Sequence, residues 1–134
     1  MQTPATPDPN AGPLYVGLSR FARLWSAQRG RLVSARLEGA LGRAIRCEST
    51  TGEIVEFSLR RAQLDFEPEG SPRMPHATIR MNPKDWSRVF TGELHVMAII
   101  LAGRAPFPKD QRRLLMQFSM LLQTTMLSGT AGNE

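Results

Sequence analysis

Cysteine and histidine are the side chains best suited to nucleophilic catalysis and metal binding, and this sequence contains only Cys47, His76 and His95. A metal site needs three or four ligands of matched type, and no cluster of His, Cys, Asp or Glu has the required spacing. There is also no glycine-rich phosphate loop and no serine nucleophile elbow. The sequence therefore predicts no catalytic, metal-binding or cofactor-binding residue. It leaves open whether the protein is an enzyme, because Cys47 and a histidine could still form a nucleophile–base pair.

The surroundings of Cys47 and His95 favour structural roles for both. Cys47 lies in an alternating segment typical of a strand, where a free cysteine usually behaves as a small buried hydrophobic residue. His95 stands at the start of a predicted helix, which indicates a capping or surface residue.

The second half of the chain is rich in methionine and aromatic residues. Methionine is unbranched and polarizable, so it can repack around ligands of different shape. These residues either form an ordinary core or line a cavity for a long apolar ligand, and periodicity alone does not separate the two. The residues are Met81, Met97, Met116, Met120, Met126, Trp86, Phe90, Phe107 and Phe118.

Local signals divide residues 77–127 into a strand and three helices. Ala77–Met81 alternates as a strand does, and Asn82-Pro83 then stops the strand and begins a helix, with Asn82 as its cap. The aromatic and apolar face of that helix consists of Trp86, Val89 and Phe90. The second helix carries Leu94, Met97, Ile100 and Leu101. The last helix carries Leu114, Leu115, Phe118, Leu121 and Leu122 on one side.

The first half begins with a helix and continues as a strand meander. Apolar spacing predicts a helix from Leu18 to about Gln28, and residues 31–42 fit a helix or a strand, of which we favour the helix. Strands are predicted over 44–49, 53–60 and 64–67. A turn at Thr50-Thr51-Gly52 joins the first two strands as a hairpin.

In their order and spacing, these pieces resemble the sterol carrier protein type 2 family of lipid-binding domains. The matching pieces are Ile79–Met81, Trp86–Phe90, Gly92-Glu93-Leu94, Met97–Leu101, Gly103-Arg104 and Leu114–Leu122. The sequence departs from the family pattern at Glu93, at Lys109, and at Pro106 and Pro108. The two prolines fall where the family has its last strand, so an edge strand or a distorted strand is expected there.

The resemblance implies an α+β fold: a mainly antiparallel sheet of about five strands with helices packed on one face. It also implies an apolar ligand between the sheet and the helices, near the terminal helix. Ser119, Gln117 and Gln123 are the polar residues nearest to a ligand head group in this reading. The ligand-binding residues that it implies are Phe57, Met81, Trp86, Phe90, Met97, Ile100, Leu101, Phe107, Leu114, Leu115, Phe118 and Leu122.

Length and composition are typical of a single globular domain. The chain has 134 residues, of which 41% are hydrophobic and 22% charged. We expect one domain over residues 14–134, preceded by a proline-rich disordered leader over residues 1–13. A single cysteine favours a reducing compartment, and the sequence shows neither an apolar run near 18 residues nor a signal peptide, so we expect a cytoplasmic protein.

The net charge is +5, and 15 of the 17 basic residues are arginine. This balance is compatible with a solvated surface, an anionic membrane surface or nucleic acid. No recognition motif supports nucleic acid, so we do not expect that partner. The basic residues of the N-terminal third are Arg20, Arg23, Arg29, Arg31, Arg36, Arg43 and Arg46; Arg112 and Arg113 form a second group.

Three functional hypotheses follow. The first is a non-catalytic lipid-binding or carrier domain that holds a fatty acyl chain, a sterol or hopanoid, or a prenylated molecule. The second is a biosynthetic enzyme or accessory factor that acts on a hydrophobic intermediate in the same cavity. The third is a basic nucleic-acid-binding protein.

Overall fold

The described part of the chain forms four α-helices and four strands. A computed structural model of the protein describes residues 12–28, 35–61, 63–67 and 75–132. Helix α1 (Pro13–Gln28) comes first, followed by a 3₁₀ helix (Ala35–Ala40). The strands and the remaining helices follow in the order β1 (Ala44–Ser49), β2 (Ile54–Arg60), β3 (Gln63–Phe66), β4 (Ala77–Met81), α2 (Pro83–Phe90), α3 (Val96–Leu101), a short 3₁₀ helix (Lys109–Gln111) and α4 (Arg112–Gly132).

The sheet is mixed and has the strand order β3-β2-β1-β4. The meander β1–β2–β3 is antiparallel as predicted, with Cys47 opposite Val55 and Leu59 opposite Leu64. Strand β4 instead pairs parallel to β1, with Cys47 opposite Ile79. The prediction of a mainly antiparallel sheet is therefore only partly correct, because the sequence gives no signal for the partner of a strand that follows a long loop.

The expected fifth strand is absent from the described part of the chain. Residues 105–108, where it would lie, have no regular structure between α3 and α4. Pro106 and Pro108 each lack the backbone N–H that a ladder requires, which accounts for the difference from the prediction.

Helices α2 and α3 are capped by side chains that accept hydrogen bonds from backbone amides. The Asn82 side-chain oxygen accepts from the Asp85 N–H at 2.8 Å, as predicted. The Nδ1 atom of His95 accepts from the Met97 N–H at 3.1 Å, which confirms the capping role expected of His95. The buried carboxylate of Asp85 also accepts two bonds from the Arg104 guanidinium, at 3.0 and 3.2 Å, and so ties the start of α2 to the end of α3.

Helix α1 begins earlier than its apolar spacing predicts. Its first residue is Pro13, and the Glu53 carboxylate accepts from the Leu14 and Tyr15 N–H groups at 3.0 and 2.9 Å. Because Glu53 is 39 and 38 residues away from these two amides in sequence, no local signal predicts the cap. Most of the predicted leader, residues 1–11, lies outside the described residues. The ambiguous segment forms the 3₁₀ helix over 35–40, and residues 29–34 also lie outside them.

The core lies between the sheet and the helices. Phe57 of β2 packs against Phe118 of α4, and Ile45, Cys47 and Ile79 are also buried. The opposite face of β1 carries Arg46 and Glu48 in ion pairs with neighbouring strands. The Nε of Arg46 lies 3.3 Å from Oε2 of Glu56, and Arg80 Nη1 lies 3.2 Å from Oε1 of Glu48.

Candidate functional site: the apolar interior between sheet and helices

Most of the residues predicted to bind a ligand lie together in one hydrophobic core. Those that are buried are Phe57, Met81, Trp86, Phe90, Ile100, Leu115, Phe118 and Leu122, and those that pack against this core while partly exposed are Met97, Phe107 and Leu114. Leu101 is the exception: its side chain is 80% exposed at the end of α3. The structure therefore brings eleven of the twelve residues together and leaves Leu101 on the surface.

An aromatic cluster forms the centre of this interior. The Phe118 ring of α4 lies 5.6 Å from Phe57 of β2 and 5.9 Å from Phe21 of α1, measured between centroids. Trp25 extends the cluster along α1, and Phe66 extends it along β3. Phe21 and Trp25 are not among the predicted site residues, because nothing in the local sequence relates α1 to α4.

Helix α2 contributes two stacked aromatic rings to this interior. The Trp86 and Phe90 rings stack at 5.5 Å with an angle of 15° between their planes. The indole N–H of Trp86 donates to the Glu48 carbonyl at 2.9 Å, which fixes the ring against β1. Phe90 packs directly on Gly17, where any Cβ would collide with the ring, so glycine allows α1 and α2 to approach closely.

The edge of the interior is more polar. Phe107 is partly buried, and the Arg112 guanidinium lies over its ring at 5.1 Å from the centroid, a cation–π contact. In addition, Gln111 Oε1 accepts from the Thr78 N–H at 3.0 Å and so fixes the start of α4 to β4.

Two buried hydroxyl groups on α4 differ in their hydrogen bonding. The Ser119 hydroxyl donates to the Leu115 carbonyl at 2.9 Å, so it is satisfied within its own helix. Thr125 is equally buried, and its Oγ1 has no hydrogen-bond partner among the described residues. The polar residues predicted nearest to a head group are Ser119, Gln117 and Gln123. The sequence contains no signal for the unpaired hydroxyl of Thr125, because its local sequence is that of any helix interior.

The environment of Cys47 makes it a poor nucleophile. The side chain is fully buried, and burial, followed by the charge of Glu48, raises the pKa of the thiol far above its ordinary value. The histidine Nδ1 atoms accept backbone bonds: His76 from the Ala44 N–H and His95 from the Met97 N–H. No three His, Cys, Asp or Glu side chains in the described ranges are grouped so that they could hold a metal ion.

The outer surface of α4 is apolar. Met116, Met120 and Leu127 are 46%, 41% and 46% exposed, and α4 carries no charged residue after Arg113. Lys109, Arg112 and Arg113 are exposed at the start of the helix. Within the described ranges, no helix is long and apolar enough to cross a membrane.

No protein-family model and no curated protein matches this sequence. Solved structures do match its fold. The UbiJ-SCP2 ubiquinone synthesis protein has a TM-score of 0.59 at 15% identity, covering 83% of this chain and 96% of that one. The palmitated SCP2L2 of Aedes aegypti has a TM-score of 0.54 at 13% identity (79% and 90% covered). Sterol carrier protein domain 2 of Helicoverpa armigera has a TM-score of 0.52 at 11% identity (87% and 94% covered). The resemblance noted in the sequence is thus confirmed at the level of structure: the chain has the fold of sterol carrier protein type 2 domains.

Proposed function

We propose that this protein is a non-catalytic lipid carrier that holds one hydrophobic molecule between the sheet and the helices. The observation that carries the proposal is the interior itself, because α1, α2, α4 and the sheet all contribute large apolar side chains to it. A ligand that enters this space removes apolar surface from water, at about 25 cal/mol per Å². The fold shared with sterol carrier domains, one of them palmitated, supports the same proposal.

Ligand entry requires the aromatic cluster to open. Phe118 contacts both Phe21 and Phe57, so a long chain fits between them only when these rings move apart. Methionines in and against the core can follow such a movement because their side chains are flexible: Met81 and Met126 are fully buried in it, and Met97 packs against it. The bound state is therefore a rearranged core whose stability depends on the ligand.

Titration of the purified wild-type protein with a fluorescent acyl probe tests this function. We expect saturable binding at micromolar concentration and displacement by unlabelled long-chain lipids. Acyl, sterol and prenyl competitors should be tested separately, because the proposal leaves the class of lipid open. A protein that binds none of them would not be a lipid carrier.

We further propose that the carrier works in the cytoplasm and meets an anionic membrane through the outer surface of α4. The three exposed apolar residues of α4 would enter the boundary between head groups and acyl chains. Lys109, Arg112 and Arg113 at one end of the helix would pair with anionic head groups. The N-terminal arginines are less suited to this contact: Arg20, for example, donates to the Phe90 carbonyl at 3.3 Å.

A role as an accessory factor in the synthesis of a hydrophobic molecule is the second candidate. The observation that favours it is the likeness to the UbiJ-SCP2 ubiquinone synthesis protein, 96% of which is covered. The accessory role and the carrier function can be separated by deleting the gene in its host and analysing prenylated and other apolar metabolites. Accumulation of one intermediate would support the accessory role, whereas unchanged metabolites would favour general transport.

Nucleic-acid binding remains the least supported of the three hypotheses. Several arginines are engaged with carboxylates, as Arg46 is with Glu56 and Arg80 with Glu48. Binding to DNA that weakens steeply with salt would be the observation in its favour.

A further inference from the structure

Thr125 carries a buried hydroxyl group that forms no hydrogen bond with any other described residue. Its side chain has no exposed surface, and its Oγ1 lacks a hydrogen-bond partner among the described residues. Leaving a buried hydroxyl unpaired costs about 1–3 kcal/mol. Threonine in a helix can relieve this cost by donating to the carbonyl four residues back, as Ser119 does to Leu115 in this same helix. Thr125 does not, so its hydroxyl is available to another molecule.

Thr125 lies on the face of α4 that packs toward the proposed ligand space. Thr125 lies seven residues after Phe118 and four after Leu121, and residues at these spacings share one face of a helix. Phe118 and Leu121 are both fully buried on that face. Seven residues correspond to about 10 Å along the helix axis, so Thr125 stands that far from the aromatic cluster.

The α4 side chains beside Thr125 offer a trapped water molecule little. A buried water needs two to four polar partners, and Leu121, Leu122 and Met126, which flank Thr125 on α4, are apolar. An amphiphilic ligand differs from water because its oxygen is held in place by the apolar remainder of the same molecule. The hydroxyl can then donate one bond to that oxygen or accept one from it.

The buried residues indicate whether the ligand oxygen that contacts Thr125 is charged or neutral. The buried polar and charged side chains of the described structure are Ser19, Ser49, Ser58, Ser119, Thr125, Asp85 and Glu56, and none of them is a cation. No fully buried cation would balance a carboxylate at Thr125, and burying a charge without a buried partner is strongly unfavourable. An alcohol or carbonyl oxygen needs only the one hydrogen bond that Thr125 provides.

We infer that Thr125 is the polar contact of the ligand site and selects neutral lipids that carry a hydroxyl or carbonyl group. This inference rests on the proposed carrier function and adds a specificity to it. The ligand would lie with its chain among Phe118, Phe57 and Phe21, and with its oxygen function about two helical turns further along α4.

Three ligands of equal chain length test the inference: 1-hexadecanol, hexadecane and hexadecanoate. Binding can be followed through the fluorescence of Trp25 and Trp86, which are both buried in the core. We expect the wild-type protein to bind hexadecanol more tightly than the other two. Thr125→Val should weaken hexadecanol binding about 3–10-fold, the value of one net hydrogen bond, and leave hexadecane within about twofold.

Two matched variants control for structural effects. Thr125→Ser keeps the hydroxyl and should bind hexadecanol as the wild type does. Ser119→Ala removes a buried hydroxyl that is already bonded within the helix, and it should leave the ligand preference unchanged. The melting temperature of Thr125→Val should equal or exceed that of the wild type, because the variant loses an unpaired polar group. If Thr125→Val does not fold, Thr125→Ala also lacks the hydroxyl and replaces it.

The outcomes separate this inference from the proposed function. Suppose that the wild type binds these lipids, and that Thr125→Val weakens the binding of hexadecanol and of hexadecane equally or changes neither. The role inferred for Thr125 is then wrong, and the carrier function stands. If the wild type binds none of the three, the carrier function fails and the inference fails with it. Tighter binding of hexadecanoate than of hexadecanol would also contradict the selection of neutral lipids.

Discussion

Phe118 is the residue at which α4, α1 and the sheet meet. Its ring contacts Phe21 on one side and Phe57 on the other, and it has no exposed surface. Trp86 has a comparable position in α2, where its ring stacks on Phe90 and its N–H is bonded to the Glu48 carbonyl. Both residues are therefore part of the core and, in the carrier proposal, part of the wall that a ligand contacts.

We predict that Phe118→Ala and Trp86→Ala weaken the binding of a fluorescent acyl probe and also destabilise the fold. Truncating a buried aromatic residue to alanine costs about 3–5 kcal/mol. Binding should therefore be compared at a temperature where each variant is shown by circular dichroism to be folded. Cys47→Ser is the comparison variant: it places a polar group on the core-facing side of β1, and we expect it to retain probe binding. If folded Phe118→Ala and Trp86→Ala bind the probe as the wild type does, these two rings are not part of the ligand site.

His95 gives the fold a pH-dependent element. Burial lowers the pKa of this histidine below its ordinary value of 6.5, and its Nδ1 accepts the Met97 N–H only when unprotonated. The folded state thus binds fewer protons than the unfolded state near and below pH 6.5. The contribution of His95 to stability is complete above that pH and is lost as the pH falls through the lowered pKa.

We expect His95→Asn to remove this pH dependence while keeping the helix cap, because asparagine is a good capping residue that does not titrate. Urea unfolding of both proteins at pH 7.5 and pH 5 measures the difference. The wild type should lose more stability than His95→Asn over this interval. Equal losses in the two proteins would show that His95 does not control the acid side of the stability profile.

At the scale of elements, the sequence predicts those structures that depend on neighbouring residues. The bounds of β1 and β4 and the Asn82 cap of α2 agree with the prediction, because alternation and capping are local signals. The parallel pairing of β4 with β1 and the Glu53 cap of α1 join residues far apart in the chain. Local patterns do not contain this information, so the sequence predicts neither the parallel pairing nor the cap.

We predict that both the exposed methionines and the first two arginines of α4 contribute to membrane binding. Met116→Gln/Met120→Gln should reduce binding to vesicles of phosphatidylcholine mixed with phosphatidylglycerol, because it removes exposed apolar surface without changing charge. Arg112→Gln/Arg113→Gln should weaken binding to these anionic vesicles at low salt and leave binding to pure phosphatidylcholine unchanged. Flotation assays measure both effects.

The matched control for the membrane prediction is Arg20→Gln/Arg23→Gln, which changes charge by the same amount on α1. We expect it to have a smaller effect than the Arg112/Arg113 change. An equal or larger effect would place the membrane contact on α1 instead. If the wild type floats equally with both vesicle types at low salt, electrostatic attraction is not part of the contact.

At the scale of the molecule, membership of the hydrophobic core is more predictable than the way in which its elements pack. Eleven of the twelve predicted residues lie in or against one core, because apolar residues at helical and strand spacing turn toward the same interior. Leu101 fits the same spacing, but it stands at the last position of a six-residue helix and points outward. Two features become visible only in the folded structure. These are the contribution of α1 to the core through Phe21 and Trp25, and the unpaired hydroxyl of Thr125.

The central claim is that this interior holds a lipid, and native mass spectrometry of the intact wild-type protein tests it most directly. Spectra should be recorded as purified from its host and after incubation with a lipid extract of that host. The carrier proposal predicts a folded protein with one lipid bound per chain, released on activation and identifiable by its mass. A folded protein that appears only at its own mass under both conditions would contradict the proposal and leave the interior as an ordinary hydrophobic core.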